Sequence, residues 1–123
     1  YDSPALQKVL LKRLTGRAPF SLRLYLDAEM FAGRVPHFQR PRVRELFEAG
    51  AKVLLRRGFK NQGAFHCKGI VVDRRFLYTG SANATHKSHC NEEFCFRITG
   101  PTVSQVLERL STHLQKGKLW NGS

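Results

Sequence analysis

Hydrophobic patterns of helix type and strand type alternate along this chain, and this alternation limits its fold more than any other feature. Between residues 4 and 15, apolar residues recur at intervals of three and four, as on one face of an amphipathic helix. Ser3 and Pro4 stand at its start in the order of an N-cap hydroxyl and a first-turn proline. Between residues 21 and 27, leucines alternate with polar residues, which is the period of a strand with one buried face.

The same two patterns continue along the rest of the sequence. We expect a helix over residues 42–50, strands over Lys52–Arg56, His66–Val72, Phe76–Thr79 and Phe94–Ile98, and a helix from Pro101 that ends before Gly117. Residues 29–41 are expected to be irregular, because Gly33, Pro36 and Pro41 interrupt them. Helices that alternate with strands predict an α/β fold, in which a mixed β-sheet is flanked by helices on both faces.

The net charge is the most unusual feature of the composition. The 123 residues include 21 Lys and Arg against 9 Asp and Glu, which gives a formal net charge of +12. Such a surface attracts polyanions, either nucleic acid or an anionic membrane face. Eight basic and two acidic residues lie between Arg34 and Lys60. They form either a solvated surface or the wall of a groove that follows a phosphate backbone.

Length and cysteine content set further limits. A chain of this size builds about one domain. No apolar run approaches the roughly 18–20 residues of a membrane-spanning helix, and no targeting segment is evident, so the sequence does not specify a compartment. Cys67, Cys90 and Cys95 are odd in number and contain no C-x-x-C spacing, which disfavours a disulfide scaffold and favours a reducing compartment.

The polar residues of the types used in catalysis begin at the predicted strand His66–Val72. Residues two apart on a strand point to the same side, so His66 and Lys68 are expected to share one face. Asp73 is placed at the following turn. A histidine can serve as nucleophile or proton carrier near neutral pH, and a lysine beside it can hold an anion.

A second polar group follows the next predicted strand. Gly80 is expected to let the chain turn sharply and to leave the following amides free. Ser81 and Asn83 then offer a hydroxyl and an amide donor at alternate positions. If these residues converge with His66 and Lys68, the four side chains make an anion site with a nucleophile or proton carrier inside it.

The spacing of these residues, H-x-K-x4-D-x6-G-S-x-N, resembles the HKD motif of the phospholipase D superfamily. The six matching positions are His66, Lys68, Asp73, Gly80, Ser81 and Asn83. The segment Asn91-Glu92-Glu93 is similar to the short N-x-E that follows the motif in that family. The predicted order of helices and strands also follows the family. The resemblance therefore covers nearly the whole chain and implies a phospholipase D-like half.

The resemblance also implies two missing parts. The family has a strand before its first helix, and Tyr1–Ser3 corresponds only to its end. We therefore expect residues 1–123 to be a single phospholipase D-like domain from a longer protein, lacking its first strand. The family's active site combines two HKD motifs, whereas this sequence has one. A homodimer or a second HKD domain is expected to complete it, as in the single-motif branch with a bacterial endonuclease and the mitochondrial cardiolipin hydrolase/Zucchini group.

By the same resemblance, the reaction is hydrolysis of a phosphodiester through a covalent phosphohistidine. His66 is the implied nucleophile. Lys68, Ser81 and Asn83 are implied to bind the non-bridging oxygens and to stabilise the charge of the transition state. Glu93 is implied to orient a catalytic histidine and to fix its tautomer.

Four further residues belong to the expected site in other ways. Asp73 is counted with the catalytic set, although it faces elsewhere and a structural role is expected for it. Gly80 and Lys87 are expected at the substrate, the latter on the rim of the cleft. Glu92 is the alternative to Glu93, because the preceding loop is about one residue shorter than in close relatives.

No metal or cofactor is expected, because lysines and hydrogen-bond donors already supply positive charge. His86, His89 and Cys90 have the i, i+3, i+4 spacing of a zinc cluster. No fourth ligand is evident and the family uses no metal there, so we expect them to be polar loop residues.

Three functions compete for this site. A metal-independent nuclease is favoured by the charge and by the size, since the large two-motif phospholipases carry insertions that 123 residues cannot hold. The first alternative is a phospholipase D-type hydrolase of an anionic phospholipid such as cardiolipin. The second is a catalytically idle nucleic-acid-binding module. A lipid enzyme is expected to expose an apolar patch beside the cleft, for which Phe31, Phe38 and Phe59 are candidates.

Overall fold

The computed structural model describes residues 3–34, 39–57, 66–83 and 92–123. The chain forms two compact units. The N-terminal unit comprises Asp2–Phe65 together with Gly117–Ser123, and the motif unit comprises His66–Lys116. Within the described ranges, no helix has both the length and the hydropathy needed to cross a membrane.

The described secondary structure follows the predicted order of elements. The helices are α1 (Pro4–Leu14), α2 (Gln39–Glu48) and α3 (Pro101–Leu114), with a π-helical segment over Met30–Arg34. The strands are β1 (Arg23–Asp27), β2 (Lys52–Arg56), β3 (Gly69–Val72), β4 (Phe76–Gly80), β5 (Cys95–Thr99) and β6 (Lys118–Leu119). The π-helical segment falls where an irregular stretch is expected, and β3 begins three residues after His66.

Helix α1 begins where the sequence predicts, whereas α2 begins earlier than predicted. The Ser3 hydroxyl accepts a hydrogen bond from the Leu6 N–H at 3.3 Å, which confirms the predicted N-cap of α1. Helix α2 begins at Gln39, before Pro41 rather than after it. A proline is tolerated in a first turn, because the first N–H groups of a helix have no partner within it.

The N-terminal unit contains a mixed three-stranded sheet in the order β1-β2-β6. Strand β1 is parallel to β2, whereas β6 is antiparallel to β2 and places Leu119 opposite Leu54. The Trp120 N–H extends this pairing by donating to the Val53 carbonyl at 2.9 Å. The sequence does not predict β6, because two residues are too few to show an alternation.

An aromatic cluster lies in the core of the N-terminal unit. The Trp120 ring centroid is 5.3 Å from that of Phe31 and 5.3 Å from that of Phe47. Phe31 is only 2% exposed, so the expectation that it contributes to an exposed apolar patch is wrong. Phe38 and Phe59, the other two candidates, lie outside the described residues.

The motif unit contains an antiparallel three-stranded sheet in the order β3-β4-β5, and α3 packs against β5. Leu77 of β4 and Val103 of α3 are its buried apolar residues among those described. The predicted α/β class is confirmed. The strands form two small sheets, one mixed and one antiparallel, because a short hairpin turn between β3 and β4 imposes antiparallel pairing on the second.

Replacing Trp120 tests whether the aromatic cluster holds the N-terminal unit together. Trp120→Ala removes a side chain that is 5% exposed, and we expect the free energy of unfolding to fall by about 3–5 kcal/mol in urea denaturation. Leu119→Ala is the matched control, because Leu119 is 68% exposed. Equal losses in the two variants would show that the cluster does not carry this stability.

Candidate active site

The strand register of the motif unit brings three separate segments of the sequence to one end of its sheet. Gly69 lies opposite Thr79, so Lys68, just before β3, lies beside the end of β4. Gly80, the last residue of β4, lies opposite Cys95 at the start of β5. We call this end of the sheet the motif end. It contains His66, Lys68, Gly80, Ser81 and Glu93.

His66 and Lys68 contact each other at the motif end, as their spacing predicts. The Lys68 Nζ lies 2.9 Å from the His66 Nε2 and 3.2 Å from its Nδ1. An ammonium has only protons to donate, and a neutral imidazole has one nitrogen with a free lone pair. The ammonium therefore lies close to both ring nitrogens, within reach of whichever one carries the lone pair. The Thr79 hydroxyl donates to the Lys68 carbonyl at 2.7 Å and fixes the lysine backbone to β4.

Ser81 is held by three hydrogen bonds. Its N–H donates to the Phe94 carbonyl at 2.9 Å, and its Oγ accepts from the Phe94 N–H at 3.1 Å. Its hydroxyl proton is donated to the Glu93 carboxylate. The expectation that the amide after Gly80 is free is therefore wrong, because β5 continues its pairing with β4 by one residue. The serine hydroxyl is thus fixed beside a carboxylate, on a residue that remains exposed.

Gly80 is required by a close approach of two backbones. A Cβ at this position would lie 1.9 Å from the Phe94 carbonyl oxygen and 2.9 Å from the Cys95 Cα. Gly80 is not among the residues with a positive φ, and it is the last residue of a strand. The glycine is thus needed for the contact with β5, and the sharp turn expected from the sequence is not found at this position.

Asp73 is not brought to the motif end. It lies in the hairpin turn at the opposite end of β3, roughly 15 Å from Lys68 at the usual rise per strand residue. Asp73 and Arg74 have φ angles of 52° and 57°, and aspartate tolerates this left-handed region better than most residues. Its carboxylate makes no hydrogen bond to another described residue. The placement agrees with a structural role in the turn.

The remaining predicted residues divide between the described part of the chain and the rest. Asn83 is exposed, two residues after Ser81. Glu93, and not Glu92, holds the Ser81 hydroxyl; its predicted role on a catalytic histidine stays a prediction. Lys87 and the histidine–cysteine group lie outside the described residues, and within the described ranges no three His, Cys, Asp or Glu side chains cluster as metal ligands do.

Sequence reasoning missed two residues that position the site. The Thr79 hydroxyl donates to the Lys68 carbonyl. The Phe94 carbonyl accepts from the Ser81 N–H, and the Phe94 N–H donates to the Ser81 hydroxyl oxygen. The alternation in β4 indicates the face on which Thr79 lies, but not its partner. No sequence signal marks a backbone contact such as that of Phe94.

Gly80→Ala tests the close approach of β4 to β5. The added methyl group must push the Phe94 carbonyl away, so we expect a loss of about 3 kcal/mol or more in the free energy of unfolding and loss of the Ser81 contacts. Gly69→Ala is the control in the same sheet, because its Cβ would meet the nearest atoms at 3.5 Å, an ordinary contact. Thermal unfolding and backbone amide NMR shifts at Ser81 measure the two effects. Similar behaviour of both variants would contradict this explanation.

Comparison with known proteins supports one family. The family model described as "Cardiolipin synthase, PLD-like domain" matches residues 14–114. No curated protein matches the sequence. The crystal structure of Nuc from Salmonella typhimurium, a phospholipase D family member, is similar with a TM-score of 0.78 and 20% identity, over 98% of this chain and 76% of that one. The fold, the motif end and the match over most of its length show that the chain belongs to the phospholipase D-like family.

Proposed function

We propose that this chain supplies one half of the active site of a metal-independent nuclease, which cleaves phosphodiesters through a covalent phosphohistidine. The contact between His66 and Lys68 carries this proposal, since it places the candidate nucleophile beside a cation. Ser81, fixed by Glu93 and Phe94, lies at the same end of the sheet. Membership of the phospholipase D-like family supports phosphodiester chemistry at such a site.

Substrate binding changes the partner of Lys68. In this structure its ammonium contacts the ring nitrogens of His66. A bound phosphodiester brings an anionic oxygen, which is a stronger acceptor for an ammonium than a neutral imidazole is. When Lys68 moves to that oxygen, the lone pair of His66 becomes free to attack phosphorus. Lys68 thus links substrate binding to release of the nucleophile.

The reaction then proceeds in two displacements. The lone pair of the His66 nitrogen forms a bond to phosphorus, and the bond from phosphorus to the leaving oxygen breaks. That oxygen takes a proton from the protonated histidine of a second HKD motif. Water next attacks the phosphohistidine, gives its proton to that second histidine and breaks the phosphorus–nitrogen bond. Lys68 and the donors around Ser81 and Asn83 stabilise the added negative charge in both steps.

A second HKD motif is part of this proposal, because one histidine cannot be nucleophile and acid at once. The sequence holds a single H-x-K spacing followed by Asp and G-S-x-N. A second copy of the chain or another HKD domain supplies the other histidine. In a two-fold dimer, the same surface of each copy meets across the axis, so an interface beside the motif end would bring the two motifs face to face.

The charge of the chain supports nucleic acid as the substrate. The formal net charge is +12. All five charged side chains between residues 3 and 26 are cations, and all five are exposed; they are Lys8, Lys12, Arg13, Arg17 and Arg23. A surface with this charge binds a phosphate backbone and releases its counterions.

Hydrolysis of an anionic phospholipid is the second candidate. Phe94 and Phe96 are exposed next to the motif end, as expected of a lipid enzyme, and the matching family model names cardiolipin synthase in its description. Vesicles that contain cardiolipin are therefore the second substrate to test.

Cleavage of an end-labelled single-stranded oligonucleotide in excess EDTA tests the proposed nuclease. We expect the protein to cut under these conditions and His66→Asn to lose at least about 10³-fold in rate, because the variant lacks the nucleophile. His113→Asn is the matched control, since His113 is an exposed histidine on α3 and outside the motif end.

Two readouts separate the parts of this proposal. A labelled phosphoryl group that stays bound to wild-type protein, and not to His66→Asn, supports the covalent intermediate. Cutting that needs magnesium or survives His66→Asn would contradict the mechanism. Failure to cut the oligonucleotide, together with hydrolysis of cardiolipin vesicles, would replace the nuclease by the second candidate.

A further inference from the structure

Two phenyl rings are left exposed beside the motif end. Phe94 is 78% exposed and Phe96 is 60% exposed, the largest values among the described aromatic side chains. A phenyl ring in water forgoes the free energy that burial would provide, so two adjacent exposed rings indicate a surface that binds something. The roles assigned to the motif residues do not use either ring.

The strand register fixes where these rings lie. Phe94 and Phe96 are two residues apart on one strand path, so their side chains point to the same face and are attached about 7 Å apart. The Phe94 backbone holds Ser81, and Phe96 lies opposite Thr79, the residue that holds the Lys68 carbonyl. Phe94 therefore contacts the site residue Ser81 directly, and Phe96 is paired with the residue that contacts Lys68.

The neighbours of the rings favour a flat polar–aromatic ligand over an acyl chain. Across the sheet from Phe96 lie Thr79 and then Gly69, so a hydroxyl and a residue with no side chain border the ring. An apolar surface that inserts into lipid would have aliphatic side chains there. The exposed aliphatic residues Ile70 and Val72 lie on the opposite face of the sheet. Val71, which is 37% exposed, shares the face of Gly69 but lies opposite the buried Leu77, further from the motif end.

We propose that Phe94 and Phe96 stack on successive bases of a single-stranded nucleic acid whose phosphate lies at the motif end. This inference rests on the nuclease function proposed above and specifies the form of its substrate. Phenyl rings stack on unpaired bases of any sequence, whereas the net charge of +12 holds the backbone. In a duplex, neighbouring base pairs already cover the faces of each base. The platform therefore selects unpaired strands without selecting a sequence.

Three substrates separate stacking from catalysis. They are a single-stranded oligonucleotide, the same length of abasic strand, and bis(4-nitrophenyl) phosphate, which has neither bases nor a polymer backbone. We expect the double variant with Phe94→Ala and Phe96→Ala to lose at least about tenfold in kcat/KM on the oligonucleotide, as expected when base stacking is removed. Phe96→Ala alone should lose at least about fivefold on the oligonucleotide, while its rate on bis(4-nitrophenyl) phosphate stays within about twofold of wild type. Wild type should cleave the abasic strand at about the rate at which the double variant cleaves the normal strand.

Control variants distinguish stacking from other causes. Phe20→Ala removes an exposed phenyl ring that lies in the N-terminal unit, and it should leave all three rates unchanged. Phe94→Trp with Phe96→Trp keeps aromatic surfaces and should retain cleavage of the oligonucleotide. Because both phenylalanines are exposed, the variants should unfold at the wild-type temperature.

Several outcomes would overturn the platform. One is equal binding of wild type and the double variant to the labelled oligonucleotide, measured by fluorescence anisotropy. A second is a change in molar mass of the double variant in light scattering, which would place the rings in an interface between copies. A third is loss of binding to cardiolipin vesicles with oligonucleotide binding retained. Absence of hydrolysis of every phosphodiester, with binding still dependent on the rings, would instead reject only the proposed catalysis.

Discussion

The candidate site depends on the close approach of the β4 and β5 backbones at Gly80. No side chain fits there, and the contact allows Ser81 to pair with Phe94 through both its amide and its hydroxyl. The register of β4 with β3 extends this constraint to Lys68 through Thr79. A slip of one residue between these strands would turn every side chain to the opposite face. The geometry of the site is thus a property of one sheet in one register.

The residues of the candidate site could be identified from the sequence, whereas their partners could not. His66 and Lys68 lie two positions apart, and this short separation suffices to bring them together, although both precede β3. Ser81 and Glu93 come from different strands, and their contact depends on a register that no local pattern specifies. The spacing of the motif singles out the glycine at position 80, but not the reason for it. Its reason, a neighbouring backbone, belongs to the fold and not to the segment itself.

Burial of the aromatic residues likewise depends on contacts that the local sequence does not specify. Phe31 lies in a segment without regular hydrophobic spacing, so its environment depends on Trp120, which is distant in sequence. The pairing of Leu54 with Leu119 is likewise determined by tertiary contacts, since β6 is too short to show a hydrophobic pattern of its own. The amphipathic helices and alternating strands were predictable because their burial repeats with the period of the backbone.

The return of Gly117–Ser123 to the N-terminal unit has a consequence for the order of folding. Trp120 joins the core beside Val53, although the whole motif unit lies between them in sequence. A ribosome releases the motif unit before it releases Trp120, and domains can begin to fold as they emerge. Of the two units, the one whose synthesis begins earlier is therefore the last to close its core. Until then its apolar faces remain available to chaperones, and pairing across so long a loop is the slow step expected of non-local contacts.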